Sequence, residues 1–260
     1  MKKRLKDVWK PMLFVAALFI LGGVLPNGKQ VLLYMAGTCL ILFLCFLLAM
    51  FFLDRYQKSK TPYMTEYLKT CDAEKFLEQC ERLEKKKKAD TDAYYLLIQD
   101  LISAYLVNGK FDSARKWLAY MESKQKLAGK YKENIKNLGV LCAVMEQDYP
   151  RAARLIDDMR DMVRKKPKNK HLRQKLANAV LLLDARTGKQ NVAKEYYEKL
   201  FVKGTRNLSE KVWCKYHLLT IYEREQNQEK IEECLQYLDQ YGNNTYMAKE
   251  ARKQHLNTDI

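Results

Sequence analysis

The 260-residue sequence predicts an all-α protein, in which an N-terminal transmembrane hairpin of two helices is followed by an α-solenoid of stacked helical hairpins. Three observations predict this fold. Only 10 Gly and 5 Pro occur, and Leu, Lys, Glu, Ala and Tyr are abundant, which favours an all-helical chain. Two long runs near the N-terminus carry no formal charge, and a helical-hairpin pattern occurs four times in the remainder of the chain.

The two uncharged runs are Pro11–Leu25 and Val31–Leu53. The first reaches only ~22 Å as a helix, which is short for a bilayer unless residues around Trp9 join it. The second is 23 residues long, which is enough to cross a bilayer with some tilt. We therefore expect membrane spans at about 9–25 and 31–53.

The basic residues around these runs predict their orientation. Residues 1–60 hold 9 Lys and Arg and 2 Asp, a net charge of +7 out of a total of +16. Most of the basic residues lie before the first run or after the second, which places both termini in the cytoplasm by the positive-inside bias. The sequence thus predicts a multi-pass protein of the cell membrane with a cytoplasmic repeat domain over residues 61–260. A cleaved secretory signal is the alternative interpretation of the first run, because a basic start and an apolar core are also typical of signals.

The repeated hairpin is clearest in Val107–Leu118, VNGKFDSARKWL. One helix ends near Asn108 and Gly109, and Gly109 can take the left-handed conformation. A second helix begins at Phe111, with Phe111, Ala114 and Leu118 on its apolar face. Asp112 can accept hydrogen bonds from the free amides at the start of that second helix. A period of about 40 residues indicates a stacked repeat. The equivalent positions, which lie 38, 41 and 38 residues apart, are Ala114, Ala152, Ala193 and Ile231.

Helical periodicity and capping signals predict a succession of helices from Tyr63 onward. Asp72 is the expected N-cap of the second of them, and Pro150 fits a first helical turn that needs no amide proton. The predicted helices are Tyr63–Lys69, Ala73–Lys87, Asp92–Val107, Phe111–Gln125, Lys132–Glu146, Pro150–Lys165, Lys170–Arg186, Val192–Val202, Ser209–Gln226, Glu229–Tyr241 and Tyr246–Leu256.

The hairpins resemble tetratricopeptide repeats, whose paired antiparallel helices stack into a right-handed superhelix that binds peptides or partner proteins. The resemblance covers residues 91–241, with Cys71–Leu83 as a degenerate earlier unit, and the repeat is longer than the usual period of about 34 residues. A small residue lets the two helices cross closely, and Ile231 departs from that pattern. The residues that carry the resemblance are Tyr105, Gly109, Phe111, Ala114, Leu118 and Met121, then Tyr149, Ala152, Ile156 and Met159, then Gly188, Ala193, Tyr197 and Leu200, and finally Tyr222, Leu235 and Leu238.

The resemblance implies that a partner binds to the first helix of each hairpin, which lines the concave face of the superhelix. Polar side chains at equivalent positions of these helices could bond the backbone of an extended peptide. The alternative is that these amides are only solvated. The predicted partner-binding residues are Gln99, Asn134, Asn137, Lys175, Asn178, Arg186 and Tyr216.

The sequence shows no pattern typical of catalysis, metal binding or cofactor binding. The three histidines lie far apart, no Gly-rich phosphate loop or HExxH helix occurs, and the seven cysteines include no CxxC pair. We expect the cysteines to behave as small buried hydrophobic side chains. We therefore predict a protein without enzymatic activity, cofactor or metal.

Two basic stretches have a second interpretation besides solvated surface. Lys85–Lys88 could contact an anionic bilayer. Arg164–Lys170, RKKPKNK, is the main candidate for nucleic-acid contact. It is a short turn region without interleaved aromatic residues, so we predict a solvated loop and no nucleic-acid partner.

Together these features predict a membrane-anchored adaptor that recruits or scaffolds protein partners at the cytoplasmic face of the membrane. Repeat arrays suit this role because they supply extended binding surfaces. The alternative function is a structural subunit of a membrane protein complex, with the repeat domain as a cap. Salt-sensitive soluble partners would favour the adaptor, and a stoichiometric membrane partner would favour the subunit.

Overall fold

Eleven α-helices and one π-helical turn make up the part of the chain that the computed structural model describes, and no strand occurs in that part. The predicted all-α class is confirmed for these residues. The description covers residues 62–87, 89, 91–188, 190–204 and 207–258, with the backbone alone for 125–130, 190, 191 and 255–258.

Every predicted helix from Tyr63 onward is present, and most helix ends agree within about three residues. The longest of them, α5, starts seven residues earlier than predicted, at Gln125. The segment 125–131 has no apolar periodicity of its own, so it is helical as a continuation of the amphipathic part. The helices are α1 (Pro62–Thr70), α2 (Ala73–Glu84), α3 (Asp92–Val107), α4 (Phe111–Ser123), α5 (Gln125–Met145), α6 (Tyr149–Lys165), α7 (Lys170–Thr187), α8 (Gln190–Lys199), the π-helical turn Leu200–Gly204, α9 (Leu208–Arg224), α10 (Gln228–Tyr241) and α11 (Tyr246–Thr258).

Consecutive helices pack in pairs, and each hairpin turn holds one residue in the left-handed conformation. The backbone angle φ is 73° at Gly109 and 103° at Gly188, where glycine adopts it without steric cost. At the equivalent position of the other three described turns, φ is 54° at Cys71, 62° at Gln147 and 54° at Gln226. The same turn geometry therefore recurs in five hairpins of the described chain, including the degenerate first unit.

Capping side chains start the second helix in three of these hairpins. Asp72, Asp148 and Asn227 each accept a hydrogen bond from the backbone N–H three residues further on, at 3.0, 3.1 and 3.1 Å. The predicted cap at Asp72 is thus confirmed. The predicted cap at Asp112 is wrong, because this residue lies inside the first turn of α4 and its carboxylate pairs with the Arg115 guanidinium.

The small residues at the predicted helix crossings are buried. Ala114, Ala152 and Ala193 are completely buried, whereas the larger Ile231 is only partly buried. Three hydrophobic clusters follow one another along the array. The first joins α1 to α5, the second joins α5, α6 and α7, and the third joins α7 to α11. Trp213 of α9 packs against all three clusters.

The first helices of four hairpins, α3, α5, α7 and α9, form a series that the final helix α11 closes. Helix α3 packs against α5, α5 against α7, α7 against α9 and α9 against α11, and α11 returns to α3. At this return the Tyr246 ring lies edge-on to the Phe111 ring, with 5.1 Å between the ring centroids. A Cβ atom on Gly109 would lie 2.6 Å from Cδ2 of Tyr246, so the close approach requires glycine there. The last helix therefore closes the array.

Hydrogen bonds also tie the end of the array to its beginning. Asn244 Oδ1 accepts from the Ala73 and Glu74 backbone amides at 2.6 and 3.4 Å, and Asn244 Nδ2 donates to Asp72 Oδ1 at 2.9 Å. Lys249 Nζ lies 2.9 Å from Glu74 Oε1. Asn244 therefore caps α2 from a position 171 residues away along the chain.

The membrane prediction requires a correction. Among the helices that the structure describes, none is both long and apolar enough to cross a membrane. Helix α5 has the length, at 21 residues, but it carries five charged side chains. This finding contradicts the predicted multi-pass membrane localisation with both termini in the cytoplasm, which we withdraw. The two predicted spans themselves, at about 9–25 and 31–53, lie outside the described residues.

Candidate partner-binding site

The seven predicted site residues lie on four of the first helices and fall into three groups. One group links α3, α5 and α7, a second lines a cavity, and a third packs at the other end of α7. By helix, they are Gln99 on α3, Asn134 and Asn137 on α5, Lys175, Asn178 and Arg186 on α7, and Tyr216 on α9.

The first group is a ladder of side chains across three neighbouring helices. Asn134 Nδ2 donates to Gln99 Oε1, and the Lys175 ammonium donates to Asn134 Oδ1. Gln99 Nε2 donates in turn to the Tyr95 carbonyl at 3.4 Å. Burial, opposed by the charge of Glu133, lowers the pKa of Lys175. These three side chains bond to one another, so the ladder holds the helices in register, and its predicted role in partner binding stays a prediction.

The second group lines a cavity of about 430 Å³ between α5, α7, the π-helical turn and α9. Asn137 and Asn178 both face this cavity. Asn178 Oδ1 accepts from Gln174 Nε2 at 3.0 Å and from the Tyr196 hydroxyl at 3.5 Å. Asn137 has no hydrogen-bond partner among the described residues. The structure thus brings together two predicted amides that lie 41 residues apart in the sequence.

Aromatic and apolar side chains form the rest of the cavity wall. Tyr196 and Tyr197 come from α8, Trp213 comes from α9, and Leu200 and Gly204 come from the π-helical turn. Isolated π-helical turns are frequent at functional sites, and this one directs Leu200 to the cavity. The remaining lining residues are Val140, Leu141, Ala179, Leu182 and Glu210.

One acidic side chain lies at the edge of the cavity. The exposed carboxylate of Glu210 lines it, and burial, with smaller contributions from Cys214 and Glu210, raises the pKa of Tyr196. The Tyr196 phenol therefore keeps its proton and remains a hydrogen-bond donor. The arrangement combines two amides, a phenol and apolar walls, which suits a neutral polar chain bearing an apolar side chain.

The third group packs around a buried histidine. The Arg186 guanidinium lies 4.5 Å from the centroid of the Tyr216 ring and donates to the Thr220 hydroxyl. His217 is 1% exposed and stacks on the Tyr197 ring at 4.9 Å between centroids. Neither nitrogen of His217 has a hydrogen-bond partner among the described residues. Arg186 and Tyr216 therefore contact the aromatic core beside the cavity.

Sequence reasoning missed the contribution of the second helices. Tyr196, Tyr197 and Leu200 lie on α8 and the turn that follows it, whereas the resemblance directed attention to the first helices alone. Trp213 was available to the sequence argument, because it lies one helical turn before Tyr216 and shares its face of α9. The spacing of Trp213 and Tyr216 is the signal that could have identified the aromatic wall.

The described cysteines are free and buried, which confirms the predicted hydrophobic role for these five. Burial raises the pKa of the Cys71, Cys80 and Cys214 thiols to about 12 and that of Cys234 to about 11. These thiols are protonated at neutral pH and are poor nucleophiles. Within the part of the chain that is described, no group of three His, Cys, Asp or Glu side chains could hold a metal ion.

The fold and site define a helical protein of packed consecutive helix pairs, compatible with a helical-repeat solenoid. Comparisons with protein-family models, with curated proteins and with solved structures find nothing that matches this chain.

Proposed function

We propose that this chain is a tetratricopeptide-like adaptor that binds an extended segment of a partner protein in the cavity between α5, α7 and α9. In this proposal the Asn137 and Asn178 amides bond the backbone of the segment, and one of its side chains enters between Tyr196 and Trp213. The role is one of binding, and it includes no catalytic step.

The observation that carries the proposal is the cavity itself, with an unpartnered amide on its wall. A volume of about 430 Å³ lies within the range of about 300–1,000 Å³ typical of ligand sites. Asn137 offers both a donor and an acceptor there, and an extended peptide backbone presents the complementary groups at regular intervals. The recurrence of the hairpin turn in five units supports the repeat-array class, whose members commonly bind other proteins.

The proposal predicts that Asn137→Ala combined with Asn178→Ala weakens peptide binding by about tenfold or more, because each lost hydrogen bond contributes about 0.5–1.5 kcal/mol. The measurement uses a displayed library of random peptides selected on the full chain, followed by titration of the best binder against the variant.

The matched control is Gln228→Ala combined with Gln236→Ala, which removes two exposed amides from α10. This control should bind the selected peptide as the unaltered chain does, and both variants should keep the same melting temperature. Equal affinities for the two double variants would refute the proposal.

A further inference from the structure

Three connections between hairpins meet at one end of the array. The Tyr94 hydroxyl at the start of α3 donates to Glu84 Oε1 at the end of α2, at 2.8 Å. The Tyr131 hydroxyl in the second turn of α5 donates to Asp92 Oδ1 at 3.2 Å, which places the N-terminal part of α5 beside the start of α3. Between α6 and α7, Asn169 Nδ2 donates to Glu133 Oε1 of α5 at 3.1 Å. The ends of α2 and α6 and the starts of α3, α5 and α7 therefore form one continuous surface.

This surface is crowded with exposed cations. Three carboxylates, Glu84, Asp92 and Glu133, contact it, and each already accepts a hydrogen bond from a neighbouring side chain. Among the described residues, seven of the eight lysines on this surface have no carboxylate within ion-pair distance, and the eighth, Lys166, lies 3.7 Å from Glu133 Oε1. We define the basic rim as the nine exposed side chains Lys85, Lys86, Lys87, Lys132, Lys165, Lys166, Lys168, Lys170 and Arg173.

The opposite end of the same helices differs in how its charges are arranged. Arg115 and Arg151 both pair with Glu146 at the turn between α5 and α6. Lys194 pairs with Glu225 at 2.7 Å, beside the turn between α9 and α10. These three cations are neutralised within the fold, whereas most of those of the basic rim are not. Unpaired cations that lie close together lower the stability of the fold because they repel one another. They also attract binding partners of opposite charge.

We propose that the basic rim binds acidic side chains that flank the residue of the partner segment in the cavity. This inference rests on the proposed function and names the chemistry of the partner, which is an extended peptide with one bulky apolar residue next to several Asp or Glu residues. The basic rim attracts the acidic side chains of the peptide electrostatically, and the cavity fixes where the peptide binds.

The distances allow one peptide to reach both places. Asn178 lies eight residues beyond Lys170 on α7, which is about 12 Å along the helix axis. An extended chain covers this length with about four residues. Acidic residues that begin about four positions from the apolar residue therefore reach the basic rim.

The cavity favours a protein segment over a nucleic acid. Glu210 lines the cavity and would repel a phosphate group there, whereas a peptide backbone is neutral. Eight of the nine side chains of the basic rim are lysines, and no aromatic side chain interrupts residues 164–170 to stack on a base. Lysine ammonium groups act as point charges, which suffices for flexible carboxylates.

The test uses the full chain and three synthetic peptides of about ten residues, long enough to span cavity and rim. One has a central Phe among Glu residues, one has a central Ala among Glu residues, and one has a central Phe among Gly and Ser residues. Lys165→Gln with Lys168→Gln and Lys170→Gln should weaken binding of the Phe and Glu peptide by about tenfold. The matched control, Lys69→Gln with Lys110→Gln and Lys116→Gln, makes the same charge change elsewhere and should weaken it by less than about twofold.

Equal losses in the two triple variants, or equal affinity of the two Phe peptides, would overturn the inference. Tighter binding of a DNA duplex than of the Phe and Glu peptide, lost in the rim variant, would overturn it in favour of nucleic acid. The variant with Asn137→Ala and Asn178→Ala separates this inference from the proposed function. If this variant no longer binds the peptide of Phe, Gly and Ser, and the flanking Glu residues do not change the affinity of the unaltered chain, the proposed function stands and the inference fails. If this variant keeps its affinity for the peptides while the rim variant loses affinity, binding of acidic residues at the rim stands and the proposed function fails.

Discussion

Trp213→Ala is expected to lower the free energy of unfolding by about 3 kcal/mol, because truncating a packed tryptophan leaves a cavity as well as exposing apolar surface. Trp213 is the side chain that packs against all three hydrophobic clusters, so its loss loosens the first, middle and last hairpins together. Its ring also lies 4.4 Å from that of His217, centroid to centroid. Urea titration followed by circular dichroism measures the change.

The matched control is Trp117→Ala, which removes the same side chain from the outer helix α4. Trp117 packs against the first cluster and lies edge-on to Tyr120 at 5.5 Å. We expect it to destabilise the protein about half as much as Trp213→Ala does. A larger loss at Trp117 than at Trp213 would contradict the central position that the structure gives to Trp213.

Acid should destabilise the protein through His217. Burial, together with the nearby charge of Arg186, holds the pKa of His217 well below its ordinary value of 6.5. Below pH 6.5 the His217 imidazole is protonated in the unfolded chain but stays neutral in the folded chain. The free energy of unfolding therefore falls by about 1.4 kcal/mol per pH unit as the pH decreases from 6.5 toward the folded pKa. Above pH 6.5 this contribution is fully present.

The measurement compares urea titrations of the unaltered chain and of His217→Phe between pH 7.5 and 5. Phe can keep the stacking on Tyr197 and has no proton to bind, so the variant should lose this slope. Burial also raises the pKa of Asp100 and Glu223, but both carboxyl groups are present in both proteins and cancel in the difference. The exposed His171→Gln variant is the matched control and should keep the slope. If the free energy of unfolding depends on pH in the same way in the unaltered chain and in His217→Phe, His217 does not cause the pH dependence.

The local structure of the described chain was predictable because local signals determine it. Apolar residues at helical spacing, the cap at Asp72 and the first-turn proline Pro150 predicted the helices, most of them within about three residues. The repeat of small residues correctly predicted that Ala114, Ala152 and Ala193 are buried. Asp112 misled the prediction, because a carboxylate two positions into a helix pairs with Arg115 as readily as it caps.

The closure of the array was not predictable from these signals. The hydrogen bonds between Asn244 and the backbone amides of Ala73 and Glu74 join residues about 170 positions apart. Sequence periodicity does not predict a contact between such distant residues. The close approach of Tyr246 to Gly109 also joins residues that are distant in the sequence, so it was not predictable either. Glycine at a turn is already explained by its left-handed φ, so its second role as space for Tyr246 leaves no separate mark in the sequence.

The candidate site was predictable in part. The equivalent positions on the first helices correctly singled out Asn137 and Asn178 as neighbours across α5 and α7. The same reasoning selected Gln99 and, one helical turn away from the equivalent positions, Asn134 and Lys175, and these three side chains hydrogen-bond within the ladder. Polarity and spacing identify which side chains share a face, but they do not tell whether those side chains satisfy one another.

Photo-crosslinking at Tyr196 tests the central claim most directly, which is that a partner segment occupies the cavity. A photo-reactive phenylalanine replaces Tyr196 in one variant and the exposed Gln236 of α10 in another, and each is irradiated with the selected peptide. We predict that the peptide is joined to position 196 and not to position 236. Crosslinking that is equal at the two positions, or found only at position 236, would contradict binding in the cavity.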